Sequence, residues 1–324
     1  MFSKMVRLAA FAATLAFSLP AMSQVKIALD SPPDLEGSGS YVWAHTFSTY
    51  LDEHGIKAEE YQRGALGGDD ELFDQVSQGV LEVSMSPLNI VGSIDKLIFG
   101  LRLPYFFDGM SEVDNALFKG GMLEEINAAT TPQGVRVLAV DTVGAAAGIF
   151  NTKKRVESVA DMQGLRMRAL DESQIELYEA WGATGTIVSW AEVPNALQTG
   201  VADGYLNPAF VPLLFGHTDF IKFFTDARIS PSLRIAIASE DWYQGLSDED
   251  RKIVDEAVDA ANKANREWLK TQDAVIEKLE AAGVDVVRLD DAARQEFREA
   301  SAPAYDSGLL TDEQIAQWEK AKSM

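Results

Sequence analysis

Residues 165–204 read LRMRALDESQIELYEAWGATGTIVSWAEVPNALQTGVADG. Leu165 to Ala169 predicts a strand, and Gln174 to Trp181 a helix. Thr186 to Ser189 predicts a second strand, and Glu192 to Thr199 a helix closed by Gly200. Short strands that alternate with helices build parallel sheets covered by helices. The decisive feature is that this rhythm is a restart. The chain has already run through the same alternation before Asn151.

In that earlier part Val25 to Leu29 predicts a strand. Ser40 to His54 predicts a helix, with Trp43, Phe47 and Leu51 at helical spacing. Ile56 to Tyr61, Leu81 to Met85 and Val135 to Val140 predict further strands. Gly64 to Asp70 is a turn that leads into a helix with acids at its positive end. Two runs of this kind in a chain of 324 residues predict two α/β lobes. Ser247-Asp248-Glu249-Asp250 resembles a capping start. The helical pattern after it meets no proline or glycine until about Ala282. That predicts one helix over about 247–282, roughly 50 Å long at 1.5 Å per residue, bracing both lobes. The expected division is 24–145 with about 233–260 in lobe I, and 146–232 with about 275–324 in lobe II.

Lys4 and Arg7 precede an apolar run from Leu8 to Leu19, and Ala21-Met22-Ser23 offers small residues to a signal peptidase. The run is shorter than the roughly 20 residues a membrane span needs. Residues 1–23 therefore read as an export signal cleaved near Ser23/Gln24, and the expected location is the periplasm. The formal charge of −22 becomes −24 without them. Such a chain repels nucleic acid and anionic membrane surfaces, so no nucleic-acid partner is expected. An anionic ligand would need a local cation, although acidity also serves solubility in salty water. The chain has no cysteine, so it carries no disulfide, thiolate metal site or cysteine nucleophile. Its three histidines (His45, His54, His217) lack the spacing of a zinc helix, and neither metal nor cofactor is expected.

The sequence contains no Gly-x-Ser-x-Gly elbow, Ser-x-x-Lys set, Walker loop or dinucleotide glycine fingerprint. Gly37-Ser38-Gly39-Ser40 reads as a turn with Ser40 near a helix cap. Asp30, Asp34 and Glu36 lack EF-hand spacing. No catalytic residue is assigned, and the chain is expected to bind rather than to catalyse.

Several segments, in order, resemble the DctP-like solute-binding proteins of tripartite ATP-independent periplasmic (TRAP) transporters. They are Leu66-Gly67-Gly68-Asp69-Asp70-Glu71, Gln78 to Val83, and Leu103-Pro104-Tyr105-Phe106-Phe107. Asp161 to Arg168 and Glu192 to Gly204, followed by Asn207-Pro208, complete the set. The resemblance implies a two-lobed fold that closes on its ligand by hinge bending and hands it to a membrane permease. It implies that Arg168 clamps a ligand carboxylate, for which a guanidinium offers two parallel donors. It implies that Asn207 supports the same carboxylate and that Trp190 lies against the ligand. Tyr41, Ser86, Asn89 and Tyr205 are further candidate wall residues.

Many members carry another arginine where this chain reads Gly144 to Phe150 without one. With Phe150, Trp190, Tyr205 and the run 104–107, this tilts the expected ligand towards a monocarboxylate with an apolar or aromatic body, foremost an aromatic acid such as benzoate or a hydroxybenzoate. Arg228 is the candidate for a second cation. A sugar acid or short hydroxy acid is the second reading of the ligand. The rivals in kind are a periplasmic enzyme acting on an organic acid and the ligand-binding partner of a sensor kinase.

Overall fold

The computed structural model describes residues 24–324. The expected signal segment, residues 1–23, and its cleavage junction lie outside them. Lobe I is built on a sheet of order β2-β1-β3-β10-β4. Its strands are β1 (Val25–Ala28), β2 (Ala58–Tyr61), β3 (Val83–Ser86), β4 (Val135–Gly144) and β10 (Ser232–Ser239). Lobe II is built on a sheet of order β11-β9-β5-β8-β6-β7. Its strands are β5 (Gly148–Asn151), β6 (Arg166–Ala169), β7 (Thr184–Ile187), β8 (Gly204–Asn207), β9 (Phe223–Asp226) and β11 (Asp285–Arg288).

Helices cover both faces of the lobe I sheet, so that its central strands are buried on both sides. On one face Val25, Ile27, Val83 and Met85 meet Trp43, Phe47 and Leu51 of helix Gly39–Glu53. Burying a side chain of the size of Phe47 or Leu51 stabilises the fold by about 1.5–3 kcal/mol. On the other face Val137, Ile235 and Ile237 meet Leu72 and Val76 of helix Asp69–Ser77. The cap of helix Gly39–Glu53 is Ser38, whose hydroxyl accepts from the Tyr41 amide at 3.1 Å, two residues before the expected Ser40.

The sheets are mixed rather than parallel. β10 runs antiparallel to β3 and β4, and β5 runs antiparallel to β8 and β9. The cause is that the chain crosses between lobes in opposite directions, outward after β4 and back before β10. The two crossings are themselves paired. The Ala147 amide donates to the Ser230 carbonyl at 2.9 Å, and the Ile229 amide to the Ala147 carbonyl at 2.9 Å. Residues 145–147 and 229–231 therefore form a two-stranded hinge.

The third crossing corrects the expected helix over 247–282. The helix starts on the Ser247 cap but ends at Leu269, and a new one begins at Val275. The Thr271 hydroxyl donates to the Trp268 carbonyl at 2.7 Å, and its amide turns back to the same oxygen at 2.9 Å. Trp268 and Gln272 both donate side-chain N–H groups to the Glu36 carbonyl. These tertiary anchors halt the helix where no breaker residue does, and the break lies level with the hinge.

The C-terminal part also departs from the expected boundary. Helix Asp291–Ala300 packs Phe297 into lobe II. The chain then returns, and Leu310, Trp318 and Ala321 enter the lobe I core. The Trp318 indole donates to the Leu97 carbonyl at 2.8 Å.

Candidate functional site

Between the lobes lies a cavity of about 110 Å³. Its lobe II wall is made where the parallel strands β6 and β8 end, the place where open α/β sheets bind ligands. β6 carries Arg168 one residue before its end, in register with Tyr205 of β8 and Thr186 of β7. β8 ends at Asn207 because Pro208 has no amide to continue the ladder. The first arginine of the Arg166-Met167-Arg168 segment fastens the two strands. Its Nε and Nη2 donate to the two Asp203 carboxylate oxygens at 3.0 and 2.7 Å.

Arg168 is 4% exposed. Its Nε donates to the Val188 carbonyl at 2.8 Å, and its guanidinium carbon lies 5.6 Å from the centre of the Trp190 ring. Among the described residues no carboxylate lies within ion-pair distance of it, and its Nη2 is buried without a partner. Asn207 Nδ2 and Ser232 Oγ are also buried without partners, and both residues line the same cavity. Buried polar groups are paired in nearly all native proteins. Three unpaired ones, facing one cavity and able to donate, describe the imprint of an oxygen-rich acceptor.

Lobe I contributes two more guanidinium groups. Arg102 pairs across the cleft with Asp171, which caps helix Glu172–Ala180 of lobe II. Arg234 pairs with Asp30 at 3.2 Å. Burial, and then the nearby Arg234 and Arg168, bring Arg102 down to about 9 from its ordinary 12.5. Burial chiefly, with Arg234 adding to it, lowers Arg168 to about 10. Both of these remain cationic at neutral pH, and of the three guanidinium groups Arg168 alone has no carboxylate partner. The cavity therefore favours one added negative charge.

Of the residues expected at the site, Arg168, Asn207 and Trp190 line the cavity. Phe150 does not. It sits in the middle strands of its sheet, 4.4 Å from Phe224 and 5.3 Å from Tyr205 between ring centres. Tyr205 is equally buried and faces His217, with 3.2 Å between Oη and Nδ1. Tyr41 stacks on His45 along its own helix, and Ser86 bonds the Ser84 hydroxyl at 3.1 Å. Asn89 has a buried Oδ1 without a partner, but Leu88 is the residue of that segment on the cavity wall. Arg228 points away: its side chain is 61% exposed and pairs with Asp226 at 3.2 Å. The additional cations are Arg102 and Arg234, which sequence reasoning missed. Each is a lone charge in a buried apolar run, Leu97 to Leu103 and Leu233 to Ala238, and that was the available signal.

Among the described residues no group of three or more His, Cys, Asp or Glu is placed to hold a metal ion. No helix among them is long and apolar enough to cross a membrane.

Comparison with known proteins agrees with this architecture. The ectoine-binding periplasmic protein TeaA of Halomonas elongata is 28% identical over 311 residues, covering 87% of this chain and 84% of that protein. The sialic acid-binding periplasmic protein SiaP of Vibrio cholerae is 27% identical over 277 residues, covering 83% of this chain and 84% of that protein. The solved structure of the periplasmic ectoine-binding protein from the TeaABC TRAP transporter of Halomonas elongata is 25% identical. It superposes with a TM-score of 0.84 over 93% of this chain and 98% of that one. The model of the bacterial extracellular solute-binding proteins, family 7 (DctP), matches residues 31–311, and the chain belongs to that family: it is a solute-binding component of TRAP transport, not an enzyme.

Proposed function

We propose that the cleft captures a small hydroxylated carboxylate, a sugar acid or short hydroxy acid, and that Arg168 and Asn207 hold its carboxylate. Closure then commits the ligand for delivery to the membrane permease subunits with which TRAP solute-binding proteins work. The observation that carries this reading is the convergence of three unpartnered buried atoms, Arg168 Nη2, Asn207 Nδ2 and Ser232 Oγ, on one cavity. A carboxylate accepts from two of them, and a hydroxyl group meets the third. In a desolvated cleft such charge-assisted bonds are stronger than in water.

The polar groups on the other walls support the hydroxylated class. Ser173, Gln174, Asp69 and Arg102 supply donors and acceptors for hydroxyl groups. The aromatic-acid expectation relied on Phe150, Trp190, Tyr205 and the run 104–107, and of these Trp190 and Pro104 line the cavity, so one aromatic ring faces it. Similarity by itself does not choose between ligands. Relatives named for ectoine and for sialic acid stand at 28% and 27% identity. Closure has its own support, because the Arg102–Asp171 pair joins the two lobes across the cleft.

The proposal is tested by calorimetric titration with D-galacturonate, D-erythronate, ectoine and benzoate, after partial unfolding and refolding to strip any co-purified solute. A hydroxylated carboxylate is expected to bind tightly and to be recovered unchanged. Preferential binding of benzoate would overturn the ligand class.

A further inference from the structure

We infer that the protein has a second ligand site, a small-oxyanion pocket on the back of the hinge. A cavity of about 300 Å³ lies there, separate from the cleft. Three guanidinium groups line it, those of Arg228, Arg294 and Arg298, and Asp108 is the single carboxylate on its wall. Each of the three has a carboxylate partner, Arg228 with Asp226, Arg294 with Asp291 and Arg298 with Asp108, and of these carboxylates Asp108 alone lines the cavity. The salt bridges of these arginines leave donors free. Arg294 gives Nη1 to Asp291 at 3.3 Å and Nη2 to the Leu289 carbonyl at 3.0 Å, and its buried Nε alone has no partner. Arg298 gives Nη1 to the Tyr105 carbonyl at 3.0 Å, and its Nη2 stands 3.6 Å from Asp108, beyond hydrogen-bond reach. Arg228 uses Nε on Asp226, and its two terminal nitrogens have no hydrogen-bond partner among the described residues.

The backbone around this cavity is held in an unusual shape. Tyr105 and Arg228 are the two non-glycine residues with positive φ among those described, at 56° and 50°, and both line it. Strain of this kind persists where the surroundings impose it, and it concentrates at ligand clamps. The imposing contacts are present: the Tyr105 amide donates to the Ile229 carbonyl at 2.6 Å, and its hydroxyl to the Ala227 carbonyl at 3.2 Å. The three arginines thus converge on a pocket whose floor is the hinge. A compact ion with two or more charged oxygens, of the sulfate or phosphate type, satisfies the free donors.

Ser230 and Pro231 line both this pocket and the front cavity, so the two share one wall. The remaining back walls come from both lobes, with Met110 and Leu269 on one side and Arg294 and Arg298 on the other. Bending that opens the front narrows the back. An anion held there resists opening and favours the closed arrangement, and by linkage a closed protein binds the anion more tightly. The site itself does not depend on which solute the front cavity takes.

The test is calorimetric titration of the cargo-free protein with sodium sulfate against sodium chloride of equal ionic strength. Arg168→Ala serves as the control for sulfate entering the front cavity. Arg228→Gly removes a guanidinium and the backbone strain together, so its loss of binding is not a loss of fold. Sulfate is expected to bind wild type and Arg168→Ala alike, and Arg228→Gly at least about tenfold more weakly. Binding that vanishes in Arg168→Ala and survives in Arg228→Gly, or no binding to wild type, overturns the site. The chain has no cysteine, so spin labels at Glu59→Cys and Thr184→Cys, both exposed and one on each lobe, report closure without background. Sulfate is expected to shorten that distance, and sulfate binding that leaves it unchanged overturns the linkage to closure.

Discussion

Replacing Arg168 by glutamine is expected to move stability and binding in opposite directions. Arg168 is 4% exposed, has no carboxylate partner, and is brought down to about 10, chiefly by burial. A fall from 12.5 to about 10 corresponds to roughly 3 kcal/mol of unfavourable environment for the charged form, at about 1.4 kcal/mol per pH unit. The bond to the Val188 carbonyl and the Trp190 ring return about 1–2 kcal/mol of this, and glutamine forfeits them. The cargo-free variant should therefore gain about 1 kcal/mol, a rise of about 2 °C in melting temperature for a chain of this size. Its affinity for the tightest carboxylate in the panel should fall by about 3–4 kcal/mol, the cost of truncating one partner of a desolvated charge pair. That corresponds to a Kd weakened about 10²–10³-fold. Differential scanning calorimetry of stripped protein gives the first quantity and isothermal titration the second. A variant that melts several degrees lower, or that keeps its affinity within threefold, would make Arg168 a structural strut and refute the reasoning.

Asp141 on β4 is fully buried, and neither carboxylate oxygen has a hydrogen-bond partner. Burial, and then the nearby Asp30, push it up to about 7, against the opposing pull of Arg266 and Arg234. The folded protein therefore binds a proton that the unfolded chain releases near pH 4. This contribution to stability is complete below pH 4 and is lost as the pH rises to about 7, of order 4 kcal/mol in all. Asp141→Asn should flatten that slope, so that urea denaturation finds it more stable than wild type at pH 8 and equal near pH 4. Gly204→Ala should cost about 3 kcal/mol through overpacking. Its Cβ would collide with the Phe150 carbonyl and come within 2.9 Å of Asn151, forcing β5 from β8; an unchanged midpoint would show the ladder yields. Export through residues 1–23 predicts a mature chain that begins at Gln24, and the intact mass of periplasmic protein decides it.

The sequence by itself determined the two α/β lobes, the approximate positions of β1–β4, β6 and β7, and the capping of the helix at Ser247, and it pointed to Arg168 and Asn207, which line the cavity. These follow from local periodicity, from capping residues and from motif spacing, all of which act over a few residues. Tertiary structure decided the rest. Thr271 ends the long helix because the Glu36 carbonyl holds Trp268 and Gln272, more than 200 residues away in sequence. The mixed sheets follow from a chain that crosses between lobes in both directions. Phe150 and Tyr205 became core rather than cleft wall because they pack within the sheet, against Phe224 and His217, while Asn207 of the same β8 stands at the strand's end; which residues of a strand meet the cleft is not written in the strand itself. Arg102, at the end of helix Lys96–Arg102, and Arg234, on β10, reached the cavity from lobe I. A cleft is made by two surfaces that meet, and the charge each contributes is legible only after the lobes have been brought together.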